Sequence, residues 1–357
     1  MINKQVNWGA IDQFEWVPPM KACPQDAIWH AEGDVYTHTK MVVEALLTLP
    51  EFLLLSPSEQ YILFLSALLH DVAKPQCTVE EDGRILAPKH AKVGEKVARE
   101  LLWDADLTIR EQVCSLVRHH GLPLWSLQKP NPNRAVIESS LRVNNAWLYM
   151  LAKADILGRI CPDQEELLER IEFFKELCLE NECFHQPKKF YNTHSRFRFF
   201  FTHAEYPSTL YDDTQFEVII MSGIAGSGKD TWLKGNVLPV VSLDDIRRAW
   251  KVKRGDKKGQ GQVIQEAYKR AKSYCIQKQS FIWNSTNLTK DMRGKLINTL
   301  SVYNPCFRIV YVEAPLQTLI ARRKGEIPAS AIRKMSRILD FPQVYEVHEI
   351  EYHKNGH

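Results

Sequence analysis

The chain has eight cysteines but no Cys-x-x-Cys pair and no zinc-ligand spacing among them. That absence excludes a zinc finger or a disulfide framework, and the cysteines read as reduced thiols. There is no run of about 20 apolar residues, the length a membrane-spanning helix needs. The first residues, Met1-Ile2-Asn3-Lys4-Gln5-Val6-Asn7-Trp8, show no basic region leading into an apolar stretch, so no targeting leader is expected and the protein is expected to be cytoplasmic, with no membrane partner. Charge of one sign is also scarce: a net +3 permits an anionic partner without demanding one. Repeats and low-complexity tracts are missing, and the hydrophobic and charged fractions, 45% and 25%, are those of an ordinary globular protein rather than a disordered one.

What is present is length and a change of pattern along it. A chain of 357 residues exceeds what one core usually organises, so two domains are expected. From about Tyr36 to Cys178 apolar residues recur at three- and four-residue steps, as in Met41-Val42-Val43-Glu44-Ala45-Leu46-Leu47, and Pro57, Pro75, Pro123, Pro130 and Pro132 punctuate the helices they predict. Beyond Phe216 short β-rich runs at 216–221, 240–243, 281–283 and 307–312 alternate with helical stretches, which predicts βαβ units and a parallel sheet. The expected division is an all-α domain over 1–185, a linker over 186–213 and an α/β domain over 214–357. The linker holds Phe190-Tyr191-Asn192-Thr193-His194-Ser195-Arg196-Phe197-Arg198-Phe199-Phe200-Phe201. Its rings and cations suit base stacking, but a strand packing its rings inward has the same composition and is the favoured reading.

The helical half contains an ordered series of candidate metal ligands: His38, then His70-Asp71, His90, His119-His120 and Asp155. Imidazole and carboxylate are donors that divalent transition metals accept. Adjacent His70 and Asp71 point about 100° apart on a helix, so they serve one place only at its rim or by bridging two ions. A lone histidine here would more often be structural; an ordered series is different. It resembles the HD phosphohydrolase superfamily, and the words Glu32-Gly33-Asp34-Val35-Tyr36-Thr37-His38 and Leu68-Leu69-His70-Asp71-Val72-Ala73-Lys74-Pro75 are similar to the HD domain attached to tRNA nucleotidyltransferases. The resemblance implies that His38, His70, Asp71 and Asp155 hold one divalent ion. His90 and either His119 or His120 would supply a second ion or contact substrate, and Lys74, one turn after His70, would hold a phosphate oxygen. Metal-lowered water pKa would then drive phosphomonoester or phosphodiester hydrolysis.

In the second half, a predicted strand ending at Met221 runs into Gly223-Ile224-Ala225-Gly226-Ser227-Gly228-Lys229-Asp230-Thr231 and then a helix. Strand, glycine-rich turn and helix is the context that makes this spacing a phosphate cradle. Backbone N–H groups close on the β-phosphate, the helix start adds positive charge, and Lys229 reaches the β- and γ-phosphates of ATP or another NTP. Asp230 stands where Ser or Thr usually ligates Mg²⁺, so the ion falls to its carboxylate or to Thr231. After the second strand, Ser242-Leu243-Asp244-Asp245-Ile246-Arg247 offers a carboxylate for an attacking hydroxyl and an arginine for an acceptor anion. Helix capping is the bland alternative, and both hold if Asp244 is catalytic and Asp245 caps. Arg322-Arg323 suit a lid over ATP or are a solvated helix end. The run Lys251–Gly259 suits a strand backbone or is a solvated loop.

This half resembles the 5′-OH polynucleotide kinases of the phage end-healing type, through Gly223 to Lys229, Asp244-Asp245 with Arg247, Asn284-Ser285-Thr286-Asn287-Leu288, and Arg322-Arg323 followed by Ile327-Pro328. The resemblance implies Asp244 as general base, Arg247 on the phosphate beside the acceptor nucleoside, Lys229 on the transferring phosphoryl and Arg323 or Arg322 in the lid. Ser285 replaces an Asp of the phage enzymes. Taken together, the halves resemble bacterial bifunctional HD-domain polynucleotide kinases. That implies removal of a 2′,3′-cyclic or terminal phosphate, phosphorylation of a 5′-OH with NTP and Mg²⁺, RNA or DNA ends as partners, and a ligase downstream. A nucleotide-metabolism enzyme pairing an HD nucleotidase with a small-molecule kinase is the alternative.

Overall fold

The structure, a computed structural model, describes residues 6–253 and 255–355. Arg254 of the basic run and the first five residues therefore lie outside the described residues. The chain divides into two compact units, Met1–Lys189 and Phe190–His357.

The first unit is helical. Its centre is the helix Asn145–Leu157, eleven of whose 13 residues are buried, because its sequence is apolar on nearly every face. Val35–Thr48, Pro57–Leu69 and Gln164–Glu180 pack around it. The buried Asn145 amide donates to the carbonyls of Val136 and Cys183 at 3.0 and 2.9 Å and accepts from Ser139 Oγ at 2.7 Å, so its burial costs no unmade hydrogen bond. Pro57, Pro75, Pro123 and Pro132 each open a helix at its first or second position, where the missing N–H is harmless. One feature departs from an all-α unit: Val79–Glu81 pairs antiparallel with Arg84–Leu86. The turn between them places Asp82 and Gly83 at φ 51° and 73°, the left-handed geometry a tight hairpin requires.

The second unit is a five-stranded parallel sheet of β1 (Glu217–Ser222), β2 (Val240–Ser242), β3 (Phe281–Asn284), β4 (Cys306–Glu313) and β5 (Glu349–Lys354), in the order β2-β3-β1-β4-β5. Central β1 is almost wholly buried. The sequence reading missed β5: as an edge strand with half-exposed Glu, His and Lys, it lacks the apolar run of a buried strand.

The segment expected as a linker is not one throughout. Thr193–Phe201 is a helix, not a strand, capped by Asn192 through Ser195 N–H at 2.6 Å. Phe197, Phe199 and Phe200 are buried, and the segment belongs to the second unit. Its rings pack inward as favoured, with Phe197 against His348 at 4.4 Å between centroids and Phe200 against Tyr345 at 5.0 Å.

Candidate functional site

Each unit carries one candidate site. In the first, local capping sets the ligands. Asp34 caps Val35–Thr48 by accepting from Tyr36 and Thr37 N–H at 2.8 and 2.9 Å, and this places His38 on the first turn, buried. His70 and Asp71 follow the last residue of Pro57–Leu69, with His70 as the cap in a helical conformation, so the pair sits at the rim of the helix end. Asp155 comes from the central helix.

These side chains converge. His38 Nε2 lies 3.0 Å from Asp155 Oδ1 and 3.9 Å from Asp71 Oδ2, while His70 Nε2 is 3.3 Å from Asp71 Oδ2. The other Asp71 oxygen, Oδ1, is 3.4 Å from His90 Nε2 and 3.9 Å from His120 Nε2. Thus Asp71 links two groups of candidate ligands, His38–His70–Asp155 and Asp71–His90–His120, while His30, Glu32 and His38 form a third. His119 is not among them: its Nε2 accepts from Arg142 Nη1 at 3.2 Å, and desolvation, then the Arg142 charge, hold its pKa well below the ordinary value. On a helical end, adjacent rings diverge by about 100°, and only one can face the cluster.

The tautomers fit a metal. His70, His90 and His120 each direct Nδ1 at a backbone carbonyl, Ala67, Ala87 and Val117, at 2.7, 2.6 and 2.8 Å. A carbonyl only accepts, so each Nδ1 carries a proton and Nε2 is the atom that each neutral ring would turn to a metal, the arrangement that orients metal-binding histidines. The Nε2 atoms of His90 and His120 face each other at 3.2 Å, an unfavourable contact unless a cation sits between. Burial, then His90, push the His120 pKa down to about 3, so this ring stays neutral and keeps its Nε2 lone pair. His70 Nε2 and Asp71 Oδ1 are buried without hydrogen-bond partners. The donor set therefore fits a divalent metal site.

Around it stand groups the sequence reading overlooked. Glu32 Oε1 is 2.8 Å from His38 Nδ1 and 3.0 Å from His30 Nδ1, and Glu32 Oε2 accepts from Ile160 N–H at 3.0 Å. Arg159 Nη2 holds both Asp155 oxygens at 3.1 and 3.2 Å. Lys74 faces the cluster, as expected, but its Nζ donates to Asp71 Oδ2 at 2.8 Å and Gln25 Oε1 at 2.6 Å. Although burial opposes the charge, Lys74 and His70 keep the Asp71 carboxyl well below its usual range, and Arg159 and His38 do the same for Asp155. The available signals were the acidic Glu32 two residues before the cap and the four-residue spacing of Arg159 from Asp155. The cluster floors a cleft of about 660 Å³.

In the second unit, β1 ends at Ser222 and the loop turns into the short helix Lys229–Leu233. Gly223 N–H donates to Thr286 O at 2.9 Å. Lys229 Nζ donates to the Gly223 and Ile224 carbonyls at 2.8 and 3.0 Å, and burial lowers its pKa to about 8. Gly226, Gly228, Lys229, Asp230, Thr231, Arg322, Arg323 and Asn355 line a cleft of about 590 Å³. Ser227 is buried beneath, its Oγ without a hydrogen-bond partner. Arg322 Nη1 donates to Gly226 O at 3.1 Å, and Arg323 Nη1 to Glu326 Oε2 at 2.8 Å. Asp230 Oδ1 accepts from Asn284 Nδ2 at 3.3 Å, and Asn355 Nδ2 donates to Ser227 O at 3.1 Å. Neither contact was foreseen, because Asn284 and Asn355 arrive on β3 and after β5.

Asp244 pairs with Arg247, whose Nε also donates to Gln260 Oε1 at 2.9 Å. The Asp244 carboxylate is mostly exposed, yet close enough to Lys229 that its charge, after that of Asp230, partly offsets the lowering of the lysine's pKa by burial. The expected cap is corrected: Ser242 Oγ accepts from Asp245 N–H at 3.2 Å, and Asp245 instead pairs with Arg248. Ser242, three residues before Asp245, reaches the third helical N–H, the usual capping reach.

Comparison with known proteins agrees with this division. The HD domain family matches residues 35–141, and an AAA domain family matches residues 218–342. A solved structure of a candidate kinase from Chloroflexus aurantiacus is 19% identical, covering 40% of this chain and 86% of its own, with a TM-score of 0.34; at that score the likeness carries no weight for function. Among the described residues no helix is long and apolar enough to cross a membrane. The chain thus carries a helical HD domain followed by an α/β, P-loop kinase-like AAA domain.

Proposed function

We propose that this protein prepares nucleic-acid ends for joining, hydrolysing 2′,3′-cyclic or terminal 2′/3′-phosphates in its first unit and phosphorylating 5′-hydroxyls from an NTP in its second. The observation that carries this reading is the pairing, in one chain, of a carboxylate-bridged His/Asp cluster with a phosphate loop that has an exposed Asp–Arg pair beside its lysine. A strand with a 3′ and a 5′ end is a substrate for both.

In the hydrolase, His38, His70, Asp155 and Asp71 would hold one ion and Asp71, His90 and His120 a second. When bound, such ions supply charge for the phosphoryl oxygens and a water acidic enough to attack near neutral pH. Glu32 holds the His38 ring in orientation, and Arg159, at the cleft wall, shields Asp155 from repelling the phosphate. Water adds to phosphorus, the P–O bond to the ribose breaks, and the departing oxygen takes a proton.

In the kinase, Lys229 leaves two loop carbonyls for the β- and γ-phosphates, and at pH 7 it remains mostly charged because its pKa lies near 8. Arg322 and Arg323 close on the same cleft. Arg247 exchanges Asp244 for the phosphate beside the acceptor nucleoside, which frees the carboxylate to accept the 5′-hydroxyl proton as the oxygen attacks the γ-phosphorus, the bond to the β–γ bridging oxygen breaks and the NDP leaves. A ligase would join the resulting 3′-OH and 5′-phosphate.

The test uses end-defined RNA and DNA oligonucleotides across a panel of divalent metals. Lys229→Ala should abolish 5′ labelling from γ-labelled ATP while sparing phosphate release from a 2′,3′-cyclic end, and Asp71→Ala should do the reverse. Labelling of a free nucleoside but no oligonucleotide would favour the small-molecule alternative.

A further inference from the structure

The metal-ligand cluster occupies only the floor of its cleft. At about 660 Å³ the cavity is in the range, roughly 300–1,000 Å³, that takes a whole nucleotide-sized ligand rather than a phosphate alone. Its outer wall is of a different character from its floor. Leu122, Leu124 and Trp125 line it, with the cations Lys89, Arg118 and Lys129.

The wall is built on the same turn as the metal-ligand candidate His120. The helix Leu122–Trp125 begins two residues after that ring, with Leu122 and Leu124 buried in the core and Trp125 left 47% exposed. The Arg170 guanidinium lies 4.8 Å from the centroid of the Trp125 ring, so the indole is held in place by a cation while still lining the cleft. Lys89 has φ 63° at the start of His90–Leu101, a left-handed conformation that costs a side-chain-bearing residue energy and sets a cation on the rim beside His90. Arg118 is about one-third exposed, with Nε 3.6 Å from Glu95 Oε2, a loose pair that leaves the guanidinium able to serve an anion.

We propose that this outer wall is a strand subsite, in which Trp125 stacks the terminal base while Lys129, Arg118 and Lys89 neutralise the phosphates on its 5′ side. The subsite rests on the end-healing reading and sharpens it: the hydrolase selects a polynucleotide terminus over a free phosphate ester. Stacking tolerates any base because every base has a π-face, and the cations read the backbone, so the subsite gives length preference without sequence preference.

The experiment compares steady-state hydrolysis, by the full-length metal-loaded protein, of a short oligoribonucleotide ending in a 2′,3′-cyclic phosphate with that of ethylene phosphate, a small cyclic ester with no aromatic ring. Trp125→Ala should raise KM for the strand about 5- to 150-fold, the span of stacking on one ring, with kcat changed less than about twofold and the small ester unaffected. Trp125→Phe should recover most of the loss. Lys129→Ala should raise the strand KM and flatten its dependence on salt. An unchanged strand KM in both alanine variants overturns the subsite, as does an equal loss on both substrates, which would mean damage to the fold or the metal cluster. If the unaltered protein hydrolyses the small ester but not the strand, the end-healing reading itself fails, and the subsite with it.

Discussion

His119 and His120 are neighbours in sequence and opposites in environment. One accepts a hydrogen bond from Arg142; the other joins His90 and Asp71 with its Nδ1 proton already committed to Val117 O. Replacing a ligand removes a bond to the ion, whereas replacing a ring outside the cluster does not. His120→Gln is therefore expected to lower bound divalent metal by about one ion per chain, measured by elemental analysis after dialysis, with His119→Gln retaining the unaltered content. Equal losses would contradict this assignment. No local property of the pair distinguishes the two rings, which is why the sequence reading left the choice open.

At the scale of elements, the phosphate loop depends on a close approach between strands. Gly223 sits at φ 147°, and a Cβ there would lie 2.2 Å from the Val312 carbonyl oxygen on β4. That oxygen is backbone and cannot swing aside. Gly223→Ala should cost about 2–4 kcal/mol in urea unfolding of the chain, from strain and overlap together. Gly261 is the contrast. It lies inside the helix Lys257–Ile276 with open space where a Cβ would go, and Gly261→Ala should stabilise by about 0.5–1 kcal/mol through a better helix propensity. A stabilising Gly223→Ala would mean that the loop does not pack as described.

For the molecule as a whole, stability should depend on pH through a buried histidine, His348, that lines neither candidate cleft. Phe307 N–H donates to His348 Nδ1 at 3.0 Å, and His348 Nε2 meets His194 Nδ1 at 3.1 Å. Nδ1 is an acceptor there, so the neutral ring is required, and burial, then the His194 charge, lower its pKa to about 4. The unfolded ring titrates near 6.5 and binds a proton that the folded ring refuses. Stability is thus fully present above about pH 6.5 and falls as pH drops toward 4, by up to about 3 kcal/mol. His348→Gln should flatten this slope in thermal melts between pH 7 and 4.5; a slope unchanged in the variant would assign the loss to other groups.

Much of the architecture was legible in the letters. The helical period of the first half, the β-rich runs of the second and the glycine loop before Lys229 are local patterns, imposed by backbone geometry and side-chain burial within a few residues. The ordered ligands His38, His70, Asp71, His90 and Asp155 were legible as candidates for the same reason: their residue types and neighbours are unusual on otherwise apolar helices. Edge strand β5 and the Thr193–Phe201 helix were not, because half-exposed or aromatic segments lack a decisive period.

By itself the sequence determined that two phosphate-directed constellations exist and which residue types compose them. Only the tertiary structure decided which atoms meet: His120 and not His119 beside Asp71, Ile160 N–H on Glu32, Asn284 on Asp230, Asn355 on the phosphate loop. The physical reason is that such contacts join segments up to 128 residues apart. They depend on how packed helices and strands are rotated against one another, and that rotation is set by the complementarity of whole buried faces rather than by any short run of residues.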